Sequence, residues 1–223
     1  MTAQQIQNKW QHLYDEFQSV FGTPASFVSA YGGGVAGATL QFLERAGIKA
    51  DLSGRPGVDL TLQAGIDWRQ APRSAYHPSR QSASTRGHCP VLMLPLTTGS
   101  TWLDGLAGIP VDALIRKGGM AGRLIEGGAR RLGQIEALDP APIGLSAMQS
   151  IADSALAQSL PFIHMRIRSE TLTPGTSRYS DNDTDTAKVL DKIDSFYRYA
   201  VDTLRLAPMS ISAYTQLETE PSP

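Results

Sequence analysis

One cysteine, Cys89, is all that the 223 residues contain, which excludes an internal disulfide and a cysteine-rich zinc site. An excess of either charge is lacking too: 20 Lys and Arg stand against 21 Asp and Glu, a formal net charge of −1. Such a balance leaves no electrostatic footprint for nucleic acid or for an anionic membrane surface. No apolar run approaches the roughly 18 residues that a membrane-spanning helix needs. The start, Met1-Thr2-Ala3-Gln4-Gln5, has neither the basic nor the apolar stretch of a secretory signal, so a cytoplasmic protein is expected. Only four histidines occur (His12, His77, His88 and His164), no two of them three or four residues apart, and there is no Asp-Asp dipeptide.

What is present is an ordinary globular composition, 41% apolar and 18% charged, with 21 glycines and 14 prolines that weight the chain toward turns. A single domain over 1–223 with a loose tail over 216–223 is expected. Ile6, Trp10, Leu13, Phe17 and Val20 recur at helical spacing and predict an opening amphipathic helix, stopped by Gly22 and Pro24. A short apolar run at Ser26-Phe27-Val28, the flexible Tyr31-Gly32-Gly33-Gly34 and a helix from about Val35 to Ala46 follow, with Leu40 and Leu43 inward. Strand, glycine loop, helix is the order of an α/β protein built from βα units. Residues 51–88 show little periodicity, which predicts a long loop that is functional or disordered. Pro90 to Thr98 is a strand candidate, and helical stretches are expected between Pro110 and Leu138. Ser146 and Gln149 form a capping-box pattern for a helix burying Met148, Ile151, Ala152, Ala155 and Leu156. Phe162 to Ile167 reads as a strand, Thr184 to Leu206 as a helix with Leu190, Ile193, Tyr197 and Leu204 inward, and Met209-Ser210-Ile211 as a last short strand.

Several stretches, in order, resemble the later half of the polysaccharide deacetylase family (NodB homology). Phe27-Val28-Ser29-Ala30-Tyr31-Gly32 resembles an F-R-A-G-x-x-G strand and loop. Leu43 to Ser53, with Gly47, Asp51 and Ser53, resembles an L-x-x-x-G-x-x-x-D-x-S segment. Gly65 to Pro72 followed by Tyr76 is similar to G-x-D-x-x-x-A-P…Y. Val91 to Thr97 is similar to a strand carrying Glu and Pro, and Arg168 to Gly175 is similar to H-S-x-x-L-x-P-G. The resemblance implies a (β/α) barrel-like fold that removes acetyl groups from sugars with zinc held by one Asp and two His, a second Asp as base and a late His as acid. The fold class expected here is therefore α/β, a partial (β/α) deacetylase-type barrel lacking its first strands. The T-F-D-D and H-x-x-x-H segments that would carry the metal are absent from the chain. Val28 stands where the resemblance implies Arg, Met93 where it implies Glu, and Arg168 where it implies the acid His. Guanidinium does not release a proton near neutral pH, so Arg168 does not replace that acid.

Two functions remain open at this point: a truncated or divergent deacetylase of an acetylated surface polysaccharide, inactive as this chain, or a non-catalytic glycan-binding or protein-interaction module on the same fold. No metal ligand and no cofactor is assigned to this chain, although the resemblance implies zinc. Its partners would be an acetylated polysaccharide and a polypeptide supplying the missing N-terminal strands. Substrate-binding candidates are Tyr31, Asp51, Asp67, Trp68, Tyr76, Arg166 and Arg168. Tyr31, Trp68 and Tyr76 offer apolar ring faces to sugar C–H groups, or else anchor loops by packing. Arg166 and Arg168, two apart in an expected strand, share one face and suit a carboxylate or phosphate, or else a structural ion pair with Glu170 or an Asp. His77, His88 and Asp67 are a set from which an improvised metal site could be drawn, although their spacing follows no metal template, and His12 reads as a solvated histidine on the outer side of the first helix. Gly32-Gly33-Gly34 before a helix suits either an anion cradle or a tight turn.

Overall fold

A computed structural model describes residues 2–100 and 135–219 of the chain. It is a mixed α/β protein with small sheets, and no closed barrel forms among the described residues. The chain divides into two compact units: Met1–Leu96 with Met209–Pro223, and Thr97–Pro208.

In the first unit, helix α1 (Ala3–Phe21) opens on a capping box, Thr2 Oγ1 accepting from Gln5 N and Gln5 Oε1 from Thr2 N, and ends on left-handed Gly22. Trp10 stacks on Phe42 at 6.2 Å, its indole N–H donating to Thr39 Oγ1, and Tyr14 meets the same ring edge-on. The apolar face expected from the sequence is thus only partly used, because Leu13, Phe17 and Val20 stay exposed. Strand β1 (Phe27–Val28), helix α2 (Gly37–Arg45) and strand β2 (Ala50–Asp51) make a parallel βαβ unit. α2 buries Thr39, Leu40, Phe42 and Leu43. Strand β5 (Leu92–Met93) adds parallel to β2, in the sheet order β1-β2-β5.

The connection from β2 to β5 is not structureless. It holds the antiparallel strands β3 (Asp59–Leu60) and β4 (Ile66–Asp67) with a single helical turn, α3 (Thr61–Ala64), between them. A tight double-back follows, in which Ser79 N donates to Thr85 O, Gly87 N to His77 O and Cys89 N to Pro78 O. Gly87 is required there: a Cβ would stand 2.5 Å from the Ser79 Cα. Trp68, Tyr76, Ala83 and Cys89 from this connection fill the core between α2 and the sheet. Periodicity missed it because the segment is anchored by single large residues rather than by a repeating face.

In the second unit, β6 (Thr98–Ser100) pairs antiparallel with β7 (Ile135–Ala137). β7 corrects the helix expected up to Leu138; the rest of that expectation, residues 110–134, lies outside the described residues. Helix α4 (Leu145–Ala157) buries Met148, Ile151, Ala152 and Ala155, with Leu156 only half-buried, and packs on β6, where Gly99 leaves room for Ile151. The capping box expected of Ser146 and Gln149 does not form: Gly144 stands at the N-cap without a side-chain bond. Residues 162–167, expected as a strand, build no ladder, because their partners alternate: Thr97 N donates to His164 O and Arg166 N to Leu138 O. Helix α5 (Asp183–Arg198) is capped by Asn182 and continues through a π-helical turn, Tyr199–Thr203. Its buried residues are Thr186, Val189 and Phe196, while Leu190 and Tyr197 are exposed, so the inward face is one residue out of register with the expected one. The expected strand at 209–211 is also corrected. In the first unit, Ile211–Thr219 forms helix α6, which covers part of the tail expected to be loose.

Candidate functional site

In open parallel sheets, ligands bind beyond the carboxyl ends of the strands. Here that edge is built by the residues after β1 and β2. Tyr31 heads a 3-10 turn, Tyr31–Gly33, that follows β1, and its side chain is 87% exposed. Asp51 closes β2 and is wholly buried. Its Oδ1 accepts from Ser53 N at 2.8 Å, and Ser53 Oγ in turn accepts from Ala30 N at 2.7 Å, which ties the β2 loop to the β1 loop. Asp51 Oδ2 has no hydrogen-bond partner. Burial pushes the Asp51 carboxyl up to about 6, against the opposing hydrogen bonds of the Ser53 hydroxyl and N–H. Gly33 belongs to the same edge. It takes a φ of +77°, and a Cβ would come 3.2 Å from Ser53 O and 3.0 Å from Leu60 Cδ1, so the loops close tightly only without a side chain.

The other two aromatic candidates are anchors. Trp68 is fully buried and donates its indole N–H to Gly33 O at 3.0 Å, pinning the β4 segment under the β1 loop. Tyr76 is buried, donates its hydroxyl to Ala83 O at 2.6 Å and exchanges backbone bonds with Met93. Burial, and next the charge of Asp51, push its phenol far above the ordinary value. A sugar-stacking surface of all three rings is therefore corrected to one exposed ring, Tyr31. Asp67 is bound by its neighbour, Arg69 Nη2 lying 2.6 Å from its Oδ2, on the outer side of the β3–β4 hairpin. His77 presents Nδ1 to Cys89 O at 2.9 Å. Among the described residues no three His, Cys, Asp or Glu side chains converge to hold a metal ion, so His77, His88 and Asp67 do not form the improvised site. The donors do not fit a zinc ion of the Asp-His-His kind either.

Arg166 and Arg168 belong to the second unit. Both reach Asp139, with Arg166 Nη2 at 2.8 Å and Arg168 Nε at 3.4 Å from the same oxygen. Arg168 also meets Glu170 at 2.8 Å and lies 5.8 Å over the Tyr179 ring. Asp139 is buried and spends its other oxygen on Ala141 N. The geometry is the ion-pair alternative, with the guanidinium groups occupied by protein carboxylates. Lys192 closes the cluster from α5 by donating to the carbonyls of Pro140 and Ile143. Burial lowers its pKa, against the charge of Asp139.

Ser53, Asp139 and Lys192 were not among the sequence candidates. A signal for the first two existed. In Asp51-Leu52-Ser53 and Asp139-Pro140-Ala141 an aspartate precedes, by two residues, the N–H it caps, the spacing of an Asx turn. Lys192 carried none, since its partners are backbone carbonyls about fifty residues away. No protein-family model matches the chain, and neither a curated protein nor a solved structure does.

Proposed function

We propose that this chain is a polysaccharide-deacetylase-like module that binds an acetylated glycan at the carboxyl edge of its parallel sheet and does not hydrolyse it. The observation that carries the reading is the pairing there of an exposed aromatic ring, Tyr31, with a buried polar pair, Asp51 and Ser53, tied by the Ala30–Ser53 bond. Such an edge presents a stacking face for sugar C–H groups on a loop that the buried Asp51 and Ser53 hold in place. The loss of hydrolysis rests on the residues themselves. Val28 and Met93 put apolar side chains into β1 and β5 where the resemblance implies Arg and Glu, and Met93 is fully buried. Arg168 is held by Asp139 and Glu170, and cannot serve as an acid.

The test is calorimetric titration with acetylated and deacetylated chito-oligosaccharides, with acetate release followed in parallel with and without added zinc. Saturable binding of the acetylated oligosaccharide is expected, weakened about fivefold by Tyr31→Ala, as the loss of about 1 kcal/mol of stacking requires. Acetate release above the protein-free control would restore the enzyme reading, and absence of binding to either sugar would remove the glycan.

A second reading has its own observation. Strand β1 is paired only by β2 among the described residues, so its outer backbone groups face an open edge. A polypeptide that supplies further strands would add there, by main-chain hydrogen bonding.

A further inference from the structure

Helix α1 docks on α2 with Trp10 and Tyr14 and buries none of its residues fully. On the neighbouring face Leu13 is 59%, Phe17 37% and Val20 71% exposed. Ile6, Leu13 and Val20 follow one another at seven-residue intervals, so they form a single stripe along a helix of 19 residues. Lys9 and Glu16 flank this stripe on one side, four residues before Leu13 and three after it. Both are exposed, and neither makes an ion pair among the described residues.

We propose that this face is the interface of a homodimer in which α1 packs antiparallel against α1 of a second copy, with the two-fold axis at Leu13. The arrangement of charge selects this occupant. An antiparallel pairing centred on Leu13 sets Lys9 of one copy against Glu16 of the other, and the two-fold repeats the pair. The same register sets Ile6 against Val20 of the second copy and Leu13 against its own equivalent, with Phe17 covering the side away from the charges. A parallel pairing would leave Lys9 and Glu16 opposite apolar or like residues. The stripe is self-complementary in both apolarity and charge, as an isologous contact requires.

The experiment is sedimentation equilibrium on the full chain over a range of concentrations, with variants whose helix content is checked by circular dichroism. The wild-type chain is expected to self-associate, and Leu13→Asp, at an exposed position, to abolish dimer without loss of helix. Lys9→Glu alone and Glu16→Lys alone each place like charges across the interface, and each should raise the dissociation constant at least about tenfold. Mixing the two single variants restores opposite charges, and a heterodimer should form where neither homodimer does. A chain that stays monomeric at every concentration overturns the proposal. So does a dimer indifferent to Leu13→Asp, or one whose single charge variants do not recover on mixing.

Discussion

Asp51 holds a carboxyl group out of water with one oxygen unmatched, and folding then favours the neutral acid. Burial raises its pKa from the model-peptide value of 3.8 to about 6 in the folded state. The folded form therefore binds a proton more tightly than the unfolded one. Its contribution to stability is greatest below about pH 4 and is lost as pH rises through about 6, a change on the order of 3 kcal/mol. Glu44 and Asp59, lowered by the Arg80 hydrogen bond and by the Thr61 hydroxyl, act in the opposite sense at acid pH. The comparison that isolates Asp51 is urea unfolding of wild type and Asp51→Asn at pH 4 to 8. The difference between the two should shift in favour of the variant as pH rises and level off above about 7. A difference that is flat with pH would contradict the buried-carboxyl account. Asp139 is the shared acceptor of two half-buried guanidinium groups. Asp139→Ala should cost about 3 kcal/mol in the same assay, since it strands Arg166 and leaves Arg168 to Glu170 alone. A cost below about 1 kcal/mol would mean that water already screens the cluster.

At the scale of elements, the connection between β2 and β5 contributes more to the first unit's core than its composition suggests. Gly87 is its closest backbone approach, and the atoms a methyl group would meet are the Ser79 backbone rather than a flexible side-chain end. Gly87→Ala should lower stability by about 2 kcal/mol or more, read as a drop in thermal midpoint, whereas an unchanged midpoint would place the double-back elsewhere. This connection also marks the limit of what the sequence discloses. Strand β2, only Ala50 and Asp51, was not read as a strand, whereas β1 and helix α2 were legible, because a short apolar run, an amphipathic pattern and a glycine stop obey local rules. The α4 face was legible for the same reason. Trp68 and Tyr76 as core anchors were not, since only distant partners such as Gly33 O and Ala83 O decide whether a loop aromatic turns inward. The helix at 211–219 was misread from three residues, Met209 to Ile211, too few to carry a period. The register of α5 failed because both faces carry large apolar residues, so the pattern alone did not select Val189 and Phe196 over Leu190 and Tyr197. Of the candidate site, the shared face of the arginine pair could be named from spacing, whereas Tyr31 stood with Trp68 and Tyr76 as one of three rings whose exposure the pattern did not decide. The Ser53 link and the Asp139 acceptor needed the folded chain.

At the scale of the whole molecule, two compact units each carry their own core, one around Leu40, Trp68 and Met93 and the other around Leu138, Met148 and Phe196. No helix among the described residues is long and apolar enough to cross a membrane. The chemistry-bearing side chains are divided between the units in the same way. The first holds the aromatic and carboxyl edge, and the second holds the arginines, already neutralised within it. The proposed glycan recognition is therefore assigned to the first unit. The most direct test is backbone amide chemical-shift mapping of the full chain during titration with an acetylated chito-oligosaccharide. The largest shifts are predicted at Ala30, Tyr31, Gly33 and Ser53, with the Arg166 to Glu170 segment unmoved. Shifts centred on that arginine segment, or none along the β1 and β2 loops at saturating sugar, would contradict the account.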